Sequence, residues 1–174
     1  MVNLKSHFQK NNLAFKISII LSTIIFFTSS LFGYFINLSF DKSKIHPNFI
    51  DIVINNSVLC FILILGVITL GLSSFILLIL NGIYLGSALQ YSINSIGLVS
   101  TLKLFIPHAI FEIPAIILSA SIGFLLITCI VLKGHFKIKI NFKYFLKYFS
   151  ICILIIAILI ILAAFVESTI SMPI

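Results

Sequence analysis

Residues 151–166 read ICILIIAILIILAAFV, with no side chain more polar than a cysteine thiol. Extended to 148–167, the run is long enough, at about 1.5 Å per residue, to cross the roughly 30 Å hydrocarbon core of a bilayer as a helix. Comparable runs occupy 17–36, 53–80 and 103–132, and a less apolar one occupies 83–100. Inside lipid every backbone N–H and C=O must be paired within the protein, so such runs can only be helices or strands of a closed barrel, and their length excludes strands. Composition agrees: 61% of the residues are hydrophobic and 9% charged, with a mean hydropathy of +1.29, against about 45–50% apolar in a soluble domain. The fold class expected is all-α, a polytopic membrane helix bundle of five transmembrane helices in one integral membrane domain over residues 1–174.

The first run follows a lysine-bearing start with Lys5, Lys10 and Lys16. Its length and the lack of an A-x-A site suit an uncleaved first helix better than a signal peptide. The chain has eleven basic residues and four acidic, a net charge of +7. The lysines gather where loops meet an anionic cytoplasmic leaflet, so the basic balance calls for membrane lipids and not nucleic acid. Lys133, Lys137, Lys139, Lys143 and Lys147 come without any acid, whereas Asp41, Lys42, Lys44 and Asp51 in the loop 37–52 cancel. This asymmetry predicts cytoplasmic amino terminus and 133–147 loop, with the 37–52 loop and carboxy terminus outside. An odd number of crossings must then separate residue 52 from residue 133, which makes 83–100 a real span; a re-entrant 83–100 is the alternative. Cys60, Cys129 and Cys152 lie in apolar runs and read as small hydrophobes without metal-knuckle or disulfide spacing.

The stretch LFIPHAIFEIPA (104–115) is the exception within its run, placing His108 and Glu112 one helical turn apart on one face. A carboxylate at the centre of a membrane helix costs about 2.5 kcal/mol or more on insertion scales, which makes it a candidate functional residue. The face continues through Ala115, Ser119 and Gly123, small residues that let helices approach, so it is expected to point into protein. Pro107 and Pro114 predict a kink or break near Pro107. Counting depth along each run puts Asn55, Asn56, His108, Glu112 and Glu167 in one outer layer, with Asn81 at the opposite end of its helix. Blander roles compete: His108 as an interhelical hydrogen-bond donor, His108–Glu112 as an internal ion pair, Asn55 or Asn56 as helix caps, Asn81-Gly82 as a helix stop, and Glu167 as a solvated helix end.

If these groups form a site, the core is His108, Glu112 and Glu167, with Asn56 and Asn81 assisting. Two chemistries fit. One is a divalent metal held by His108, Glu112 and Glu167 with an open water position. The other is metal-free acid/base work by a glutamate oriented by histidine and asparagine, as in an intramembrane peptidase or ligase. No serine, threonine or cysteine is spaced as a nucleophilic triad.

Asn55-Asn56, Gly66 and Gly71, NGIYLG (81–86), PHAIFEIPA (107–115) and AAFVES (163–168) together resemble the stage II sporulation protein M-like family. The resemblance covers nearly all of the chain after the first helix, and the His-x3-Glu element is closest to the broader membrane branch found in circular bacteriocin clusters. It implies a multi-pass protein of the bacterial cytoplasmic membrane that takes part in maturation (leader removal and head-to-tail cyclisation) and secretion of a circular antimicrobial peptide. Implied partners are a hydrophobic precursor peptide, an ATP-driven exporter, other membrane subunits and a second copy of the chain. The rival expectation is a non-enzymatic scaffold or permease component of a multiprotein complex.

Overall fold

A computed structural model describes residues 2–36, 48–136 and 142–170, with side chains described over 13–36, 48–133 and 149–169. The apolar runs fold as five helices: α1 (Val2–Tyr34), α2 (Phe49–Ile64) continued by a 3-10 turn at Leu65–Val67, α3 (Leu72–Ile96), α4 (Leu98–Phe136) and α5 (Phe142–Ile170). All five contain a segment long and apolar enough to cross a membrane, and the protein is all-helical.

Polarity along these helices is reversed relative to a soluble bundle. On α1 the buried positions include Ser18, Ser22, Ser29 and Ser30, whereas Ile20, Ile24, Phe27 and Leu31 are exposed. Lipid solvates leucine as well as protein does, so helices associate through small side chains and interhelical hydrogen bonds. Ser18 Oγ donates to Thr128 Oγ1 at 3.0 Å and Ser121 Oγ to Ser22 Oγ at 3.3 Å, which sets α1 antiparallel to α4. Ser87 Oγ donates to the Gly33 carbonyl oxygen at 2.8 Å, while Gly82 packs on Ser29 and Gly86 on Ser30, which sets α1 parallel to α3. Phe26, Leu63, Leu78, Ile116, Ala120 and Phe124 form the core among α1 to α4. Cys60, Ala115, Ile122, Cys152, Ile156 and Ile160 form a second core that seats α5. Ala115 and Ser119 are buried as the small-residue face requires, and a Cβ on Gly123 would overlap Ser74 Oγ.

The helix boundaries correct the sequence reading at one place. The run 53–80 is not one span, because the chain reverses at residues 68–71. Leu70 (φ 53°) and Gly71 (φ 90°) take left-handed conformations, natural for glycine and uncommon for leucine. The run 83–100 is accordingly the carboxy-terminal part of α3 plus the start of α4, with the bend at Gly97 (φ 84°). The number of crossings is unchanged, but their limits move to 49–67 and 72–96.

The reversal is built for lipid. Ile68 N–H donates to Leu65 O (2.9 Å), Gly71 N–H to Gly66 O (2.7 Å) and Leu72 N–H to Thr69 O (3.1 Å). Ser73 N–H donates to Thr69 Oγ1 at 3.1 Å. Ile68, Leu70 and Leu72 point outward, and Gly71 lies against Phe124 and Ile127 of α4. With the Ile68, Gly71, Leu72 and Ser73 N–H groups paired and apolar side chains outside, the turn suits a setting poor in water.

Two further expectations change. Pro107 and Pro114 both lie inside α4, which continues as helix through them, so there is no break. Asn55 and Asn56 are not caps: α2 begins two turns earlier, behind Asn48, whose N–H donates to Asp51 Oδ2 at 3.3 Å. Of the lysine-bearing loop 133–147, residues 137–141 lie outside the described residues, as does the loop 37–47.

Candidate functional site

The break at 68–71 decides where the polar residues meet. It turns α3 back toward the end of the bundle where α2 starts, so Asn81 travels to the level of Asn55 and Asn56 and is not left at the far side. The structure brings Asn55, Asn56, Asn81, His108, Glu112 and Glu167 together around one cavity of about 340 Å³. Placing Asn81 at the opposite end was therefore wrong, and the reason is the unseen reversal. The shared layer of the other five is found.

Each wall comes from a different helix. Helix α2 supplies Ile52, Asn55 and Asn56; α3 supplies Asn81, Tyr84, Leu85 and Ala88; α4 supplies Phe105, His108, Glu112, Ile113 and Ile116; α5 supplies Glu167; and Phe26 of α1 completes the lining. Asn55 and Tyr84 are exposed whereas Phe26, Ile52 and Ile116 are buried, so the cavity runs from the surface to the core. A narrower crevice continues from Asn56 and Glu112 between Leu59, Cys60, Ala115, Ile116, Ile160 and Ala163 and is too tight for a water molecule. Glu112 thus stands between a polar space and a dry one.

Hydrogen bonds orient two of these side chains. His108 Nδ1 lies 3.0 Å from the Leu104 carbonyl oxygen. A carbonyl can only accept, so Nδ1 carries the hydrogen, which leaves Nε2 to face the cavity as the second ring nitrogen. The Phe105 ring lies against the imidazole, with centroids 5.1 Å apart. Asn81 Nδ2 donates to Leu77 O at 2.8 Å, within α3, which leaves Oδ1 as its remaining acceptor. Asn81 sits mid-helix, so the helix-stop role is excluded.

The metal alternative does not fit. Among the described residues no group of three His, Cys, Asp or Glu is gathered closely enough to hold an ion. His108, Glu112 and Glu167 line the same cavity but do not form such a group of three. What the arrangement offers instead is a pair of carboxylates, a tautomerically defined imidazole and three carboxamides at the edge of a dry crevice. Such groups can take and return protons, accept hydrogen bonds from a bound donor and steady a developing oxyanion through amide N–H groups.

Tyr84, Phe105 and Phe26 were not anticipated. Tyr84 stands three residues after Asn81 and Phe105 three before His108, so helical spacing from a known polar residue was the available signal. Phe26 had none, since it lies on a helix without any residue of the polar layer.

Comparison with known proteins gives a consistent picture. A family model described as Stage II sporulation protein M matches residues 13–172. An uncharacterized protein of Methanocaldococcus jannaschii is 37% identical over 168 residues, covering 87% of this chain and 92% of its own. A second uncharacterized protein of the same organism is 31% identical over 176 residues, covering 94% of this chain and 80% of its own. No solved structure matches the chain.

Proposed function

Since the chain belongs to the stage II sporulation protein M family, we propose that it is a multi-pass protein of the cytoplasmic membrane that processes an apolar peptide, the role implied by its resemblance to the circular bacteriocin branch. That role is leader removal, head-to-tail cyclisation and delivery to export. The observation that carries this reading is the cavity: four of the five helices contribute the polar groups of one site, and two of the chain's four acids line it. Each such group raises the cost of insertion, a cost that helix packing alone does not require.

The chemistry is acid/base. Glu112 or Glu167 takes a proton from a water molecule attacking the scissile carbonyl, and the other acid returns a proton to the leaving nitrogen. Amide N–H groups of Asn55 or Asn56 stabilise the oxyanion. Leader hydrolysis needs nothing more. Joining a free amine to a free carboxylate releases water and runs uphill in water, so the cyclisation step takes a carboxyl group activated beforehand as an acyl phosphate at the expense of ATP, with phosphate leaving as the amine attacks. The apolar crevice beside Glu112 holds water away from the second step.

One observation favours the rival, a non-enzymatic scaffold or permease component: among the described residues no serine, threonine or cysteine lines the cavity. Purified protein in nanodiscs, given the linear precursor, separates the two. Conversion by wild type and its loss in Glu112→Gln supports the enzyme; no conversion, with full product in cells carrying Glu112→Gln, supports the scaffold.

A further inference from the structure

The electrostatics of the cavity run opposite to those of the chain. The protein carries eleven lysines and a net charge of +7, yet among the described residues no lysine lines the cavity while Glu112 and Glu167 do. Its other polar groups are rich in acceptors. Asn81 gives one Nδ2 hydrogen to Leu77 O, which fixes its carboxamide and leaves Oδ1 as an acceptor beside the second N–H. His108 has its Nδ1–H committed to Leu104 O, leaving Nε2. Asn55 and Asn56 each add a carboxamide oxygen. The partner that complements such a wall is a cation bearing several N–H donors. The shape narrows it further. About 340 Å³ lies near the small end of the roughly 300–1,000 Å³ typical of ligand pockets, enough for the end of a chain and too little for a helix. The apolar wall of the same cavity, formed by Ile52, Leu85, Ile113 and Ile116, gives an apolar side chain a place beside the charged groups.

We propose that this cavity binds a primary ammonium group attached to an apolar residue, the free α-amino end of a peptide. The three N–H donors of the ammonium meet the carboxylates and the Asn81 and His108 acceptors, and a low-dielectric setting strengthens each charged contact. The identification of the amine as a peptide terminus rests on the peptide-processing reading; recognition of the ammonium does not. For that reaction the site would hold the amine that leader removal frees and that cyclisation consumes.

The test is equilibrium binding of radiolabelled leucinamide to the full chain in nanodiscs, with three competitors at matched ionic strength: n-butylammonium, N-acetyl-leucinamide and sodium. Saturable binding displaced by n-butylammonium alone is the expected result, weakened about tenfold or more in Glu112→Gln and in Glu167→Gln, as loss of a charge-assisted hydrogen bond requires. Since a variant can fail to fold, Asn81→Asp serves as a gain test: an added carboxylate should tighten leucinamide binding. Equal displacement by N-acetyl-leucinamide would show apolar binding only, and equal displacement by sodium would show an alkali-cation site; either overturns the proposal, as does Asn81→Asp binding no more tightly than wild type. Amine binding without precursor conversion leaves this proposal standing and removes the processing reading. Precursor conversion without amine binding does the reverse.

Discussion

Ser74 Oγ donates to the Leu63 carbonyl oxygen at 2.7 Å, tying the first turn of α3 to the last turn of α2. That contact fastens the reversal that carries Asn81 to the level of Asn56. Gly123 of α4 lies against both partners, and a Cβ there would overlap Ser74 Oγ and crowd Leu63 O. Gly123→Leu should therefore destabilise the bundle by about 1–3 kcal/mol or more, read as a lower unfolding temperature in detergent. An unchanged unfolding temperature would mean that α4 does not close on the reversal.

The reversal itself should be shielded from water. Thr69 caps it through Ser73 N–H, and its neighbours Ile68 and Leu70 face outward. Thr69→Cys, in a background with Cys60, Cys129 and Cys152 replaced, should resist a membrane-impermeant maleimide from both sides and label only after detergent is added. Rapid labelling in intact membranes would place the turn in water.

Orientation follows from the lysines, as the positive-inside rule predicts. Reporter fusions at Lys139 should report the cytoplasm, and fusions at Lys44 and after Ile174 the outside. A cytoplasmic carboxy terminus would require an even number of crossings.

The acids should not be equivalent. Asp51 accepts from Asn48 N–H at the start of α2, so Asp51→Asn should cost no more than about 1 kcal/mol and leave peptide processing intact. A loss of product matching that of Glu112→Gln would mean that charge at this end of the bundle, and not the cavity, is what matters.

What the sequence made legible, and what it hid, turns on the same few residues. Hydropathy identified membrane helices because transfer of side chains to lipid is what it measures. It carries no information about chain direction, and Ile68-Thr-Leu-Gly71 is as apolar as the segments beside it, so 53–80 looked continuous. The clues to the break are Gly66, Gly71 and the Thr69/Ser73 pair. One missed turn displaced Asn81 by nearly a bilayer thickness. His108, Glu112 and Glu167 escaped that error because α4 and α5 are unbroken, and counting from their ends puts them at one level, where they line one cavity. Proline was the converse case: Pro107 and Pro114 suggested a kink or a break, and the break does not occur because the packed neighbours of α4 allow the helix to continue.

The account rests on Glu112 acting as a proton-transferring group in the cavity. Conversion of the linear precursor by purified protein in nanodiscs, wild type against Glu112→Gln, tests it most directly. The isostere keeps size and hydrogen bonding, and leaves the Ala115, Ser119 and Gly123 packing face untouched. The account predicts conversion by wild type that is unaffected by a chelator, and a loss of about 10²-fold or more in Glu112→Gln, the usual contribution of a general acid or base. Conversion at the wild-type rate by Glu112→Gln would contradict it, as would wild-type activity abolished by chelator and restored by a divalent metal.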